Sequence, residues 1–476
     1  MPLLDLKDFS GGLNVRDSLE ALGPSETPDA LNMTLTTRGS VRMRNGAVQV
    51  ATLPSGVGEN NFLYYSPILD KWFHQQGDVL YVRPGDLSGS WTIHINPLTG
   101  GNNIVAMCDF GTVAVISQLG GAVWTTDGTT ATLRTSAVGG STIAVFKNRV
   151  WVSGGQASVF FSNVGDPNTW TTATDFVLIR EKDAEYVTAF GGNLAGGLVV
   201  FKRRSAYRIT DAATGAYTTI DWDKGCVGPG AVATVKGLAY TWGHDSIYAW
   251  DGVSRGVSVA DKIRPRFFDN TATEFTFGFV RAGAFEDRAV FAFPYNDIYN
   301  NRLLELFPGP RNTIEQLPSA SWIMEHQLAQ SGEDAITWLA QKGNKLYAAI
   351  ADGEVMYSLF DPTAIGQDDG TSYTAHFKTT HLTLGKLARL QRCRVYGTAL
   401  AAGTNTKELR TYKGWQTTVA DTFDITTALE TSDREEVTDL RSLGHAEAHQ
   451  LEFRVHSGTG EAQLHRLLVD LTPLEP

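Results

Sequence analysis

The 476 residues carry 40 Lys and Arg against 51 Asp and Glu, a formal charge of −11, with 42% hydrophobic and 19% charged residues. A chain this long and this apolar buries a large core over two or three domains and is not disordered. Its acidic balance argues against a basic groove that grips nucleic acid by releasing counterions, and no apolar run nears the roughly 20 residues of a membrane helix.

Three widely spaced cysteines, Cys108, Cys226 and Cys393, with no Cys-x-x-Cys pair signal neither a disulfide scaffold nor a zinc site. A reducing compartment during folding is expected. The 48 glycines, 11 tryptophans, 15 tyrosines and 23 phenylalanines tilt the chain toward β structure with many tight turns. The N-terminus has an acid at its fifth position and no long apolar core, so a secretory leader is not expected.

The first segment reads Phe9-Ser-Gly-Gly-Leu-Asn-Val-Arg16, then Pro28-Asp-Ala-Leu-Asn-Met33, then Arg38-Gly-Ser-Val-Arg-Met-Arg-Asn-Gly46. Gly11 and Gly12 supply a backbone free to take positive φ at a sharp bend. Asn14, Asp17 and Asn32 are turn residues that hydrogen-bond their own backbone. Leu31, Met33 and Leu35 alternate with polar residues, Arg38 and Gly39 form a tight turn, and Val41 and Met43 begin a second alternating run. The pattern predicts a glycine-hinged arm leading into a β-hairpin over residues 1–60. Phe9 and Leu13 are its anchors, and it adds strands to the C-terminal domain or to a neighbouring subunit.

From about residue 61 to 360 one pattern recurs: an apolar strand, a short polar turn, a second strand rich in aromatics, then a glycine turn. Ile143–Phe146 meets the turn Lys147-Asn148 and Val150-Trp-Val152. Ala231–Val235 meets Lys236-Gly237 and Leu238–Trp242. Ala282–Phe285 meets Glu286-Asp287, and Trp338–Ala340 meets Lys342-Gly-Asn344. A spacing of roughly 40 to 55 residues fits small four-stranded sheets that bury their faces against one another around an axis. The prediction is an all-β chain with a central β-propeller of about six or seven blades. A pair of β-sandwiches is the alternative architecture. Trp72, Tyr81, Trp124, Trp151, Tyr207, Trp242, Trp250 and Tyr347 are read as packing between blades rather than as a sugar platform.

Asp361 to Ser372 has a loop composition and is read as the boundary to a third unit, residues 361–476. There, longer alternating strands such as Tyr373–Leu382 and Leu451–His456 predict a β-sandwich or platform domain. Asp433-Arg-Glu-Glu436 is read as an acidic loop, and in a ring-shaped assembly Asp433, Glu435 and Glu436 are candidates to line the lumen. His376 and His381 fall on opposite strand faces, while His445 and His449 flank Glu447 in the wrong order for a zinc protease and are read as loop histidines. Thr126-Asp-Gly128 and Asp251-Gly252 only begin the repeated aspartate turn of sialidases, and Glu181 has no partner carboxylate. No P-loop, dinucleotide fingerprint or nucleophile elbow occurs, so no cofactor, no metal and no enzyme activity is expected.

The order F-S-G-G-L-N-x-R, x-P-D-A-L-N-M, R-G-x-V-x-x-R-N-G resembles the opening of the tail-nozzle proteins of short-tailed bacteriophages, a family that includes tail tubular protein B and packaged-DNA stabilisation proteins. The likeness covers about the first tenth of the chain closely. The runs Val199–Tyr207, Ser246–Gly252 and Asp261–Arg264 look like the blade strands of such propellers. The resemblance implies a structural protein of the virion, made in the host cytoplasm, that forms a hexameric ring at the distal end of the tail. Its partners are other copies of itself, adaptor or tail-ring proteins, and tail fibres or spikes. DNA passes through the channel without specific binding, retained until ejection. Phe9, Gly11, Gly12, Leu13, Asn14, Asn32, Arg38 and Gly39 are then structural and interface residues. A carbohydrate-binding or sialidase-like propeller is the second reading.

Overall fold

The computed structural model describes residues 3–19, 21–36, 39–54, 62–98, 105–154, 156–211, 213–268, 276–295, 300–308, 314–317, 321–328, 336–351, 354–383, 388–398, 406–414, 416–425, 435–439, 445–456 and 463–473. Seven antiparallel four-stranded sheets follow one another along the chain. Their first strands are Phe62–Ser66, Val105–Phe110, Ile143–Phe146, Val187–Leu194, Val232–Val235, Arg281–Phe285 and Ile336–Lys342. Each first strand packs on the next, and the seventh returns to the first, so the circuit closes into a seven-bladed β-propeller.

Several inner hairpins turn through two residues. Lys147 and Asn148 take φ of 45° and 58°, and Lys236 and Gly237 take 49° and 75°. Two successive left-handed residues twist a hairpin in the sense its strands require, which explains why these short polar pairs were visible as turns. The aromatics fill the gaps between blades. Trp72 meets Tyr347 at 4.9 Å between blades 1 and 7, Phe201 meets Trp250 at 5.1 Å between blades 4 and 5, and Trp242 stacks on Phe293 at 5.1 Å between blades 5 and 6. Offset and edge contacts of this kind add roughly 0.5–1.5 kcal/mol each beyond the area they bury.

Blade 7 is closed by a strand from the other end of the chain. Asn45–Thr52 pairs antiparallel with Val355–Ile365 and supplies the fourth strand. The sheet boundary therefore falls between Met43 and Asn45 rather than at residue 60. The linker reading of 361–372 is also corrected, because Val355–Ile365 runs on as one strand and Asp368 is buried.

The remaining strands form a two-sheet sandwich. One sheet runs Glu435–Asp439, Ala388–Thr398, Gln463–Pro473, Val41–Met43, Met33–Leu35, with Leu3–Leu6 also paired to Gln463–Pro473. The other runs Ala30–Leu31, Ala375–Lys378, His449–His456, Thr406–Lys413, Asp421–Asp424. Their shared core holds Phe9, Met33, Phe377, Cys393, Phe453 and Val469, and extends onto Trp322 and Met324 of blade 6. An outer propeller strand would normally show a row of free backbone groups to solvent. Here all five residues of Trp322–His326 are buried beneath the arm and the sandwich.

Candidate functional site

The arm crosses from one core to the other within a few residues. Phe9 is buried in the sandwich and meets Phe377 edge-on at 5.1 Å, while Leu13 is buried among the side chains of blades 5 and 6. Between them Gly12 has φ +68°, and a Cβ there would lie 2.8 Å from the Trp322 Cβ. A Cβ on Gly11 would lie 2.5 Å from Glu26 Cγ, because Gly12–Leu13 runs parallel to Glu26–Thr27. Both glycines serve close approach, and one also serves conformation. The Asn14 side chain accepts the N–H groups of Arg16 and Asp17, at 3.2 and 3.3 Å.

Asn32 does more than hold a turn. It sits at φ 56°, its N–H donates to the Glu325 carbonyl, and its Oδ1 accepts from Gln327 N at 2.8 Å and Arg44 Nε at 3.1 Å. Its Nδ2 donates to the Thr374 carbonyl at 2.9 Å. The expectation that Asn32 bonds its own backbone is thus replaced by a bridge among arm, blade 6 and sandwich. Gly39, at φ 79°, turns the hairpin and its carbonyl accepts Phe9 N at 2.9 Å. Arg38 lies outside the described residues.

The Arg44-Asn45-Gly46 end of the motif is explained by burial. Arg44 and Asp368 are each 1% exposed at the side chain and form a two-pronged ion pair at 2.8 and 2.5 Å. The guanidinium also lies 4.1 Å from the Tyr373 ring centroid. Two residues on, a Cβ added to Gly46 would come within 1.7 Å of the Gln367 carbonyl oxygen. That contact is with backbone and cannot be relieved by a side-chain rotation. Gly46→Ala is expected to cost about 3 kcal/mol or more in urea unfolding, the scale of severe core overpacking. A cost below 1 kcal/mol would show that the Asp368 turn moves freely.

Two further buried charge groups stand at the same joint. Glu305 is fully buried, ion-paired with Arg288, hydrogen-bonded by Thr34 Oγ1 at 2.8 Å, and 3.1 Å from His326 Nε2. Glu325, also fully buried, lies 2.8 Å from Arg266 Nη2 and 3.6 Å from Arg302 Nε. Arg266 in turn faces Asp29 of the arm, which lies 3.3 Å from His376 Nε2 of the sandwich. A cavity of about 230 Å³ opens beside Thr34, Arg42, Arg288, Glu305, Lys345 and Asp361. Its charges answer one another, so it serves the joint better than it would serve a ligand.

These groups set a pH dependence. Burial pushes the Glu305 carboxyl up, but the charge of Arg288 and the His326 hydrogen bond outweigh it and hold the pKa at about 2. A depressed carboxylate stabilises the fold above its unfolded value of 4.5 and loses that stabilisation as the pH falls through 2. The size is about 3 kcal/mol. Burial lowers His326 against the pull of Glu305, so below about pH 6.5 the unfolded chain takes up a proton that the folded one refuses, and stability falls there too. Burial raises Glu325 above 4.5 despite Arg266 and Arg302, which opposes the fall. Urea midpoints are expected to drop modestly from pH 7.5 to 5.5 and steeply below 4.5. A flat profile down to pH 3 contradicts the role given to Glu305.

Other sequence candidates are dispersed. Asp433 lies outside the described residues. Glu435 and Glu436 belong to the strand Glu435–Asp439 at the edge of a sandwich sheet, opposite Tyr396 and Val395, and so not to a loop. The β-branched Val437 and Thr438 that follow suit that strand. His449 is buried in its strand with Nε2 3.0 Å from the Ala388 carbonyl, and His445 begins the short strand His445–Ala446, which corrects the loop reading of both. Glu181 opens an exposed 3₁₀ turn. Among the described residues no three His, Cys, Asp or Glu come together as a metal site.

One repeat escaped the sequence reading. In blades 1 to 5 the loop between third and fourth strands carries an aspartate that accepts backbone N–H groups ahead of it: Asp86 from Ser88, Asp127 from Thr129 and Thr130, Asp166 from Asn168, Asp211 from Ala213, Asp251 from Val253 and Ser254. Each is followed within three residues by Ser or Thr, and that spacing was the available signal. Thr126-Asp-Gly128 and Asp251-Gly252, which had pointed toward sialidases, are two of these five turns.

No family model matches the sequence, and no curated protein matches it. Among solved structures, a chain in the crystal structure of the mitotic checkpoint complex is similar at 14% identity and a TM-score of 0.44, over 66% of this chain and 93% of that one. A computationally designed protein is similar at 11% identity and 0.42, over 66% and 99%. BamB from Moraxella catarrhalis is similar at 13% identity and 0.38, over 66% and 98%. At these scores the likeness carries no argument, and the fold rests on the strand pairing.

Proposed function

We propose that this chain is a non-enzymatic structural protein of a virion, assembling into a ring, six copies in the resemblance, at the distal end of a short phage tail. The ring surrounds the DNA channel, docks on an adaptor ring, bears fibres or spikes, and retains packaged DNA until ejection. The reading is carried by the segment from Phe9 to Gly46, whose likeness to tail-nozzle openings coincides with the strap that joins propeller to sandwich. Glycines and Asn32 are spent there on rigid joining, with Arg44 buried in the same joint, which suits a load-bearing part. The acidic balance of each copy, −11, suits a wall past which phosphates slide, since like charges repel. Negative-stain imaging of the purified full-length protein tests the reading: closed rings are expected, whereas a stable monomer that binds glycans overturns it.

A further inference from the structure

One end of the propeller carries a rigid aromatic and cationic surface. Tyr186 is 60% exposed and Trp222 is 50% exposed, both unusual for side chains of that size. The Arg180 guanidinium lies 4.0 Å from the Trp222 ring centroid. Arg180 and Tyr186 lie in the linker between blades 3 and 4, and Trp222 opens the linker between blades 4 and 5. The first of these is strained, with Arg180 at φ 44° and Ala184 at φ 56°, a left-handed conformation unfavourable for non-glycine residues. It is held by Lys202, whose fully buried ammonium donates to Asp183 Oδ1 at 2.5 Å and to the Arg180 carbonyl at 3.2 Å. Arg180 N donates to Tyr217 Oη at 3.1 Å, and Arg204 N to Glu185 Oε2 at 3.4 Å. Arg180, Lys182 and Arg204 are exposed and Arg203 and Lys224 half-buried around the two aromatics, against the exposed Glu181 and Asp223 and the half-buried Glu185, with Asp183 neutralised by Lys202, so cations are in excess.

The topology fixes what lies at the opposite end. In an antiparallel meander the turns between first and second strands and between third and fourth strands share one end, and the inter-blade links share the other. The five aspartate turns of blades 1 to 5 therefore stand together on the end away from Trp222. Of the lysines on that end, Lys236 is paired with Asp287 and Lys345 with Asp361, while Lys342 donates to the Gly85 carbonyl and Lys147 to the Thr210 carbonyl.

We propose that the Trp222 surface is where one copy of the chain grips the next, receiving the aspartate-bearing end of a second copy. Trp, Tyr and Arg are the residues that dominate binding energy at interfaces, and a preformed, braced loop loses little entropy on docking. The opposite charges of the two ends choose the partner and the direction of approach. Contact between unlike surfaces is heterologous, and it generates a ring when the rotation closes. This inference rests on the ring reading above and names the surface that would build it.

Sedimentation and mass photometry of the full-length protein test it. Trp222→Ala with Tyr186→Ala, and separately Arg203→Glu with Arg204→Glu, are each expected to weaken self-association roughly tenfold or more. Trp222→Phe is expected to retain most of it. Asp127→Asn, Asp166→Asn and Asp211→Asn together keep the turn acceptors, remove three charges, and are expected to weaken association as well. Combining that set with the arginine reversals should cost less than the product of the two effects, because both sets remove one contact. Unchanged circular dichroism and urea midpoints establish that the variants are folded. Rings that persist in folded variants overturn this surface and leave the ring reading standing. Fully multiplicative effects overturn the pairing of the two ends, and a wild-type protein that stays monomeric overturns both readings.

Discussion

Replacing Arg44 with methionine is expected to lower the stability of the chain by about 3–5 kcal/mol, the cost of leaving one member of a buried ion pair without its partner. All five guanidinium N–H groups are used: Nε on Asn32 Oδ1, Nη1 on Asp368 Oδ1 and the Asn45 carbonyl, Nη2 on Asp368 Oδ2 and the Gln327 carbonyl. Asp368 also accepts Ala47 N at 2.8 Å, and Tyr373 Oη donates to the Arg44 carbonyl. Methionine fills part of the volume but returns none of those bonds. The carboxylate of Asp368 then loses both guanidinium bonds while it keeps the Ala47 N–H. Urea unfolding of the variant measures the loss. The double replacement Arg44→Met with Asp368→Leu is expected to recover part of it, since two apolar groups need no partner. An Arg44→Met protein within 1 kcal/mol of the parent would show that water reaches the pair.

Removing residues 1–43 is expected to unfold the sandwich and leave the propeller closed. The deletion takes Leu3–Leu6, Ala30–Leu31, Met33–Leu35 and Val41–Met43 out of the two sandwich sheets and withdraws Phe9 and Met33 from their core. Loss of Phe9 alone exceeds about 3 kcal/mol. The seven blades keep every strand, because Asn45–Thr52 remains to close the last one. Blade 6 suffers most, since Trp322–His326 then stands uncovered as an edge and invites aggregation. Limited proteolysis should destroy the region from Tyr373 onward while protecting the propeller strands between Phe62 and Ile365. Survival of the C-terminal strands in the truncated protein would mean that the sandwich needs no arm. A cut placed after Thr52 instead of Met43 also opens blade 7 and is expected to abolish folding of both parts.

The local parts of this fold were legible in the sequence. Pairs such as Lys147-Asn148 and Lys236-Gly237 report hairpins because few residues tolerate two left-handed conformations in succession. Period-two alternation reports strands with one face inward. The aromatics reported inter-blade packing because a sheet of four short strands must cover two faces. The aspartate turns of blades 1 to 5 were equally local, and those at Asp127 and Asp251 stood out, but their recurrence was missed, since the flanking residues vary from Leu87 to Pro167 and only the aspartate and the following Ser or Thr recur.

The joint was not legible, for a physical reason. Alternation fixes which way a strand's side chains point but says nothing about which strand lies beside it. Nothing in Asn45–Thr52 announces Val355–Ile365 as its neighbour, and nothing in Arg38–Gly46 announces that Arg44 is buried against a carboxylate 324 residues away. An arginine in a turn-rich motif reads as solvated, and an aspartate in Gly366-Gln-Asp-Asp-Gly370 reads as loop. By itself the sequence determined strands, turns, aromatic fillers and the glycine hinge, all set by a few neighbouring residues. That the arm adds strands to the C-terminal domain was also expected, and Leu3–Leu6 does so against Gln463–Pro473. The tertiary structure alone decided that Asn45–Thr52 closes blade 7 and that Arg44 meets Asp368, because burying a charge is tolerable only where its counter-charge arrives with it, and that meeting depends on the whole circuit closing.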